Sequence, residues 1–402
     1  RALVRDVNKA KGRIPGLGGG ILTTDVSDIV DNPDVDIVVE VMGGGEPAAT
    51  YMERALLNGK TVVSAMKRAA AEEEHIKTFK GYPPTRGFPF LLKAISALYM
   101  SNGIPISEDE IFVSDGAKSD IVNFIGLFSS SKVLICEPAY PAYAEIAVLS
   151  GKTPVYIKGT EENGFLPLPN EETGENLIII LCSPGNPTGE TYSKEDLEKW
   201  VKFALATSSV IIFDAAYRDF ITEEKPFSIF EISGAEKCAV EICSFSKGAG
   251  FTGIRCGWSV VPSALRCGGK NVNAAFLRKL SAEKNGVSYI SQRGAEAALL
   301  PKGREENMRN ISEYLHNAAM LGKVFAEKKL KFYGGVNSPY LWLCLPEKTT
   351  SENFFSRLLY GAHIVGTPGA GFGPSGEGYF RLSSLALPRD INTAVFRLRV
   401  FL

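Results

Sequence analysis

Leu177-Ile178-Ile179-Ile180-Leu181-Cys182, running straight into Ser183-Pro184-Gly185-Asn186-Pro187-Thr188-Gly189, is the stretch that decides the fold. An apolar run without alternation suits a strand covered on both faces, as in parallel sheets between helical layers. The prolines and glycines that follow fix a rigid loop at the strand's carboxyl end. The same arrangement recurs on either side. Upstream, Ile111-Phe112-Val113 precedes Ser114-Asp115-Gly116-Ala117-Lys118, and Val133-Leu134-Ile135-Cys136 is another apolar run. Downstream, Ser209-Val210-Ile211-Ile212-Phe213 precedes Asp214-Ala215-Ala216-Tyr217. Helical spacing fills the intervals. Residues 86–265 therefore read as an α/β domain with a mostly parallel sheet and helices on both faces.

Outward from this core, residues 270–325 read as mainly helical. Residues 340–345 and 379–383 read as strands and 351–359 as a helix, together a smaller C-terminal α+β domain. Toward the N-terminus, Asp36–Val41 reads as a buried strand ended by Gly43-Gly44-Gly45. Glu46–Leu57 has helical spacing, Asn58-Gly59 stops it, and Thr61-Val62-Val63 begins a second strand. That is a partial, Rossmann-like βαβ fragment. Helical character returns over 64–79, and Gly81-Tyr82-Pro83-Pro84 breaks it. The expected boundaries are 1–66, 67–300 and 301–402.

The 402 residues are 45% hydrophobic and 22% charged, with a net charge of −1. Such a balance argues against a nucleic acid or an anionic membrane as partner. No run of about 18 apolar residues suggests a membrane span, and no apolar signal segment opens the chain. Its first residue is Arg1, so the chain is expected to begin inside a longer reading frame. The seven cysteines are scattered, with no C-x-x-C spacing, which fits a reducing cytoplasm better than disulfides or zinc. His75, His316 and His363 are far apart and read as surface or packing residues.

The chemistry collects in short motifs at strand ends, where open α/β sheets bind ligands. Ser244-Phe245-Ser246-Lys247 leads into Gly248-Ala249-Gly250-Phe251-Thr252-Gly253-Ile254-Arg255. A lysine among apolar, small and hydroxylic neighbours suits chemistry more than solvent, and its amine can form an imine with an aldehyde. The nearby hydroxyls and the fork of Arg255 suit a phosphate. The small residues at 114–118 can offer backbone N–H groups to the same anion. Asp214 at a strand end can pair with a pyridinium nitrogen and keep the ring an electron sink; helix N-cap is its plainer alternative. Tyr217 can hydrogen-bond a phenolic ring oxygen, and the rigid loop can aim Asn186 at a ligand. Occurring together and in order, these motifs point to pyridoxal 5'-phosphate, with Lys247 as its Schiff-base lysine.

From about residue 64 to 395 the chain resembles the fold-type-I pyridoxal phosphate enzymes, and within them the LL-diaminopimelate aminotransferase family. The resemblance rests on SDGAKSD (114–120), EPAYPAY (137–143), SPGNPTG (183–189), SFSKGAGFTGIRCGW (244–258), NGVSYISQRGAEA (285–297), GGVNSPYLW (334–342) and TPGAGFGPSGEGYFRLS (367–383). It implies a pyridoxal-phosphate-dependent transaminase that passes an amino group from LL-diaminopimelate to 2-oxoglutarate, by ping-pong kinetics, in lysine biosynthesis. Lys247, Asp214 and Tyr217 are the implied catalytic residues, with Asp214 on the ring nitrogen and Asn186 and Tyr217 on the ring oxygen. Tyr140 would stack on the ring. Ala117, Lys118, Ser244, Ser246 and Arg255 would hold the phosphate. Arg381 would clamp the substrate carboxylate with Asn337 near it, and Lys118, Tyr140, Asn186 and Asn285 would also face the substrate. Tyr82 and Asn285 match residues that reach the cofactor across a homodimer interface.

Residues 1–67 resemble instead the NAD-binding domain of homoserine dehydrogenase, through PDVDIVVEVMGG (33–44) and EPAATYMERALLNGKTVVSA (46–65). The two resemblances meet within Val62–Arg68, so the chain reads as a junction of two gene pieces. Gly16-Leu17-Gly18-Gly19-Gly20 does not form the G-x-G-x-x-G loop, because no apolar strand precedes it and Ile21 stands at the third glycine. Lys67 reads as a solvated helix lysine. In the turn at 81–87, Pro83 and Arg86 stand where the family usually has Gly and Gln. Two other readings stay open: an NAD(P)-dependent homoserine dehydrogenase relative, and an inactive chimera that binds pyridoxal phosphate.

Overall fold

The structure is a computed structural model and describes residues 2–13, 20–40, 47–64 and 82–402. The chain forms two compact units, Arg1–Tyr82 and Pro83–Leu402. In the first, β1 (Ala2–Leu3) pairs in parallel with β2 (Leu22–Thr23). β3 (Ile37–Glu40) pairs in parallel with β4 (Thr61–Ser64), joined by a helix over Ala48–Leu57. This is the expected βαβ pattern. The Gly43–Gly45 break, the glycines before Gly20, the helix expected over 64–79 beyond Ser64, Lys67 and His75 lie outside the described residues.

The second unit is built on seven strands: β5 (Ile111–Ser114), β6 (Lys132–Glu137), β7 (Thr153–Lys158), β8 (Ile178–Cys182), β9 (Val210–Asp214), β10 (Ala239–Ser244) and β11 (Gly257–Val260). Their order is β5-β11-β10-β9-β8-β6-β7. All pairs are parallel except those made by β11, which runs against both β10 and β5. The apolar runs are explained by burial on both faces. Ile179, Leu181, Ile211 and Phe213 enter one core, and Ile178, Ile180, Val210 and Ile212 the other. Truncating any of these to Ala would cost about 2–5 kcal/mol.

After a small hairpin of β12 (Arg266–Cys267) and β13 (Lys270–Asn271), helices cover Val272–Glu283, Tyr289–Leu299 and Pro301–Glu327. A second, antiparallel sheet follows: β14 (Phe332–Gly334), β15 (Tyr340–Cys344), β16 (Thr367–Pro368) and β17 (Tyr379–Ser383), in the order β14-β15-β17-β16. The period of two in β15 sends Leu341 and Leu343 into a core with Leu321, Phe325 and Leu358. Trp342 points the other way, onto Phe165 and Phe372. Trp342 and Phe165 thereby join the small sheet to the loop after β7. Both sheets belong to the 83–402 unit.

Candidate active site

β5, β6, β8, β9 and β10 run in one direction, so their carboxyl ends share one edge of the sheet. Register aligns that edge: Ser114 faces Gly257, Gly257 faces Ser244, and Asp214 lies beside both Ile242 and Cys182. A cavity of about 540 Å³ opens there. It brings together Lys247, Asp214, Tyr217, Asn186 and Tyr140 with Ala117, Lys118, Ser244, Ser246 and Arg255. Arg381, carried by β17 of the small sheet, closes it.

Lys247 stands in a single helical turn, Phe245–Gly248, started by the Ser244 hydroxyl, which accepts the Ser246 N–H at 3.1 Å. Burial lowers the pKa of its ammonium, and the positive charge of Arg381 lowers it further. Asp214 lies at the floor. The Tyr143 hydroxyl donates to its Oδ2 at 2.6 Å, and the Ala216 N–H donates to its Oδ1 at 3.1 Å. Burial raises the carboxyl pKa, while the two donors pull it back toward the ionised form.

One end of the cavity is shaped for an anion. Gly116 precedes the helix Ala117–Leu127 at φ 129°, and a Cβ there would lie 2.5 Å from an Arg255 guanidinium nitrogen. Only glycine leaves that cradle open. The first-turn N–H groups of Ala117 and Lys118 have no carbonyl within the helix to bond. Arg255, itself left-handed at φ 65°, donates from Nη1 to Ser246 Oγ at 3.3 Å. A Cβ on Gly257 would come within 2.7 Å of the Cys243 carbonyl, so β10 and β11 meet closely behind the cradle.

At the other end Arg381 is held in place. It donates to Asn186 Oδ1 at 2.6 Å and to Thr367 Oγ1 at 3.2 Å, and lies over the rings of Tyr340 and Phe372 at 4.4 and 4.8 Å. Its Nε is buried without a hydrogen-bond partner. The Tyr217 and Tyr340 hydroxyls share a hydrogen bond of 2.7 Å. Lys118 Nζ lies 5.6 Å from the centre of the Tyr140 ring.

Three expected residues are elsewhere. Asn285 lines a second cavity of about 330 Å³, with Asp115, Asp120 and Lys284. Asn337 is buried, but its side chain is engaged: Oδ1 accepts the Thr222 N–H at 2.9 Å, and Nδ2 donates to Glu223 at 2.7 Å. Tyr82 is 82% exposed. Conversely, Tyr143, Cys182, Thr252 and Tyr340 line the first cavity without having been singled out. Tyr143 and Tyr340 lie within EPAYPAY and GGVNSPYLW, one at the start of the helix Ala142–Leu149 and the other on β15, and only their contacts in the fold show where they point.

These residues fit pyridoxal phosphate: an open cradle beside Arg255, a buried carboxylate for a ring nitrogen, a half-buried lysine with lowered basicity, and a guanidinium with an unused buried donor. The cysteines are all free thiols. Among the described residues no group of three or more His, Cys, Asp or Glu side chains could hold a metal ion, and no helix is long and apolar enough to cross a membrane.

Fold and site define a transaminase dependent on pyridoxal phosphate. The chain belongs to the aminotransferase class I and II family, which matches residues 53–395. It is 44% identical to the LL-diaminopimelate aminotransferase of Agathobacter rectalis over 354 residues, 84% of this chain and 87% of that relative. It is 44% identical to that of Bacteroides fragilis over 361 residues, 85% and 87% of the two chains. Its structure is similar to L,L-diaminopimelate aminotransferase from Chlamydomonas reinhardtii, with a TM-score of 0.76 and 31% identity, covering 100% of this chain and 96% of that one. Residues 2–83 match the homoserine dehydrogenase NAD-binding domain family.

Proposed function

We propose that this chain transfers an amino group from LL-diaminopimelate to 2-oxoglutarate in lysine biosynthesis, as a cytoplasmic homodimer. The observation that carries the reading is Lys247 facing Asp214, Arg255 and Arg381 in one cavity, in a chain 44% identical to enzymes of that name. In this reading residues 67–300 carry the cofactor, 301–402 bring Arg381, and 1–66 are the Rossmann-like fragment.

Bound pyridoxal phosphate supplies the carbonyl carbon that takes the amino group and a protonated ring that spreads the electron pair left at the substrate Cα. Ala117, Lys118, Ser244, Ser246 and Arg255 hold its phosphate. Asp214 holds the proton on the ring nitrogen, Asn186 and Tyr217 bond the ring oxygen, and Tyr140 covers the ring face. Arg381 receives the substrate α-carboxylate in its fork, pre-set by Asn186 and Thr367. Lys247, whose charged form burial and Arg381 both disfavour, lifts the Cα proton, a contribution of about 100- to 10,000-fold in rate. Asn285 and Tyr82 would complete the site of a second copy, and Asn337 braces the 222–223 loop rather than touching substrate.

Steady-state rates measured while both substrates are varied test this. The proposal expects parallel double-reciprocal lines for LL-diaminopimelate and 2-oxoglutarate. Intersecting lines, or turnover with other amino donors alone, would overturn it.

A further inference from the structure

Tyr143 is 2% exposed at the start of the helix Ala142–Leu149, one turn after Tyr140, whose ring it meets edge-on at 5.6 Å. A Phe would fill the same space. A hydroxyl at such depth is costly unless it finds a partner. Its partner here is the Asp214 carboxylate, at 2.6 Å. The other donor to that carboxylate is the Ala216 N–H, and no basic side chain is paired with it among the described residues. Facing Asp214 from the neighbouring elements are the Cys182 thiol on β8 and the Tyr217 phenol beyond β9, both of which burial holds in the neutral form.

From this geometry we propose that Tyr143 is a positioning residue for transamination: its hydroxyl fixes the Asp214 carboxylate and holds it as an anion directed at the ring nitrogen of the cofactor. The inference rests on the reading of Asp214 given above. The turn that leads into this helix, closed by the Tyr143 N–H on the Tyr140 carbonyl at 3.1 Å, then sets two features of the cofactor pocket, the ring-stacking Tyr140 and the anchor of Asp214. With Oδ2 tied to Tyr143 and Oδ1 to Ala216, the carboxylate cannot rotate. Without the phenol, one of the two donors that offset the burial of this carboxylate is gone, and the ring nitrogen would have a weaker, less well-placed ion partner.

The test compares the affinity of the protein for pyridoxal phosphate with its affinity for an analogue in which the ring nitrogen is replaced by C–H. Wild type, Tyr143→Phe, Tyr143→His and Asp214→Asn are measured, with melting curves as a control on folding. Removal of a hydrogen bond to a charged group predicts that Tyr143→Phe binds pyridoxal phosphate about tenfold or more weakly, with a much smaller change for the analogue. Tyr143→His, which keeps an N–H donor, should restore most of the discrimination. Equal losses for both ligands in Tyr143→Phe, or none for either, would overturn the proposal. Should Tyr143→Phe not fold, equal losses in Tyr143→His would overturn it as well. If Asp214→Asn also fails to separate the two ligands, the role given to Asp214 is what has failed; if it separates them and Tyr143→Phe does not, only Tyr143 is excluded.

Discussion

Around Lys247 two effects act in the same direction. Burial is the larger and the charge of Arg381 the second, and both disfavour the ammonium form. Replacing Arg381 with Met keeps the burial and removes the charge. The amine pKa should therefore rise, so that at a given pH less of Lys247 is neutral. The pH dependence of acylation of Lys247 in the cofactor-free protein checks this: the titration should move to higher pH in Arg381→Met. Much of the chemistry at this scale was legible in the sequence, because SPGNPTG, DAAY and SFSK are local motifs that sit where strands end. Tyr143 and Tyr340 were not. Neither stretch carries a sign of a polar role for its tyrosine, and each hydroxyl gains one only because Asp214 and Tyr217 come opposite it.

Among the elements, β6, β8 and β9 were visible as unbroken apolar runs, while β10 was not, because Glu241 interrupts it. That carboxylate is fully buried and accepts hydrogen bonds from Ser228 and Tyr99 as well as from Arg218, which it pairs with at 3.1 Å. Arg218 follows Tyr217 directly, so the pair also anchors the turn after β9. Glu241→Ala would leave a buried, unpaired guanidinium, at a cost of about 3–5 kcal/mol, read from the denaturant midpoint. β11 was also missed: four residues, Gly257–Val260, with Ser259 between apolar neighbours, are too short a signal. A second buried carboxyl, Asp120, belongs to the helix that begins the phosphate cradle. Burial raises its pKa to about 7, partly offset by the hydrogen bond that the Ser114 hydroxyl donates to it at 2.6 Å. The folded pKa lies above the unfolded one. Its contribution to stability is thus full below about pH 4 and is lost as pH rises through about 7. Asp120→Asn, which cannot ionise, should be more stable than wild type at pH 8 relative to pH 5, by an amount on the order of a few kcal/mol. Urea midpoints at the two pH values test it; a difference independent of pH would contradict it.

For the whole molecule, the aminotransferase match and the dehydrogenase-domain match overlap over residues 53–83. The sequence placed their meeting at Val62–Arg68, and the structure parts its two units at Tyr82/Pro83. Residues near such a junction resemble both families, so motifs alone do not mark a boundary there. The α/β class of the large sheet was legible because both its faces are covered. The exact union of small and large sheets was not, since it depends on Trp342 and Phe165, far apart in sequence. The proposed pairing of two copies predicts a native mass twice that of the 43.5 kDa chain. The most direct measurement is a half-reaction. The protein loaded with pyridoxal phosphate is mixed with LL-diaminopimelate, with no oxo acid present, and the absorbance of the cofactor is followed. The account predicts a single conversion of the cofactor to its amino form, reversed on adding 2-oxoglutarate and absent in Lys247→Ala. A bound cofactor whose spectrum is unchanged by the amino acid, or the same conversion in Lys247→Ala, would contradict it.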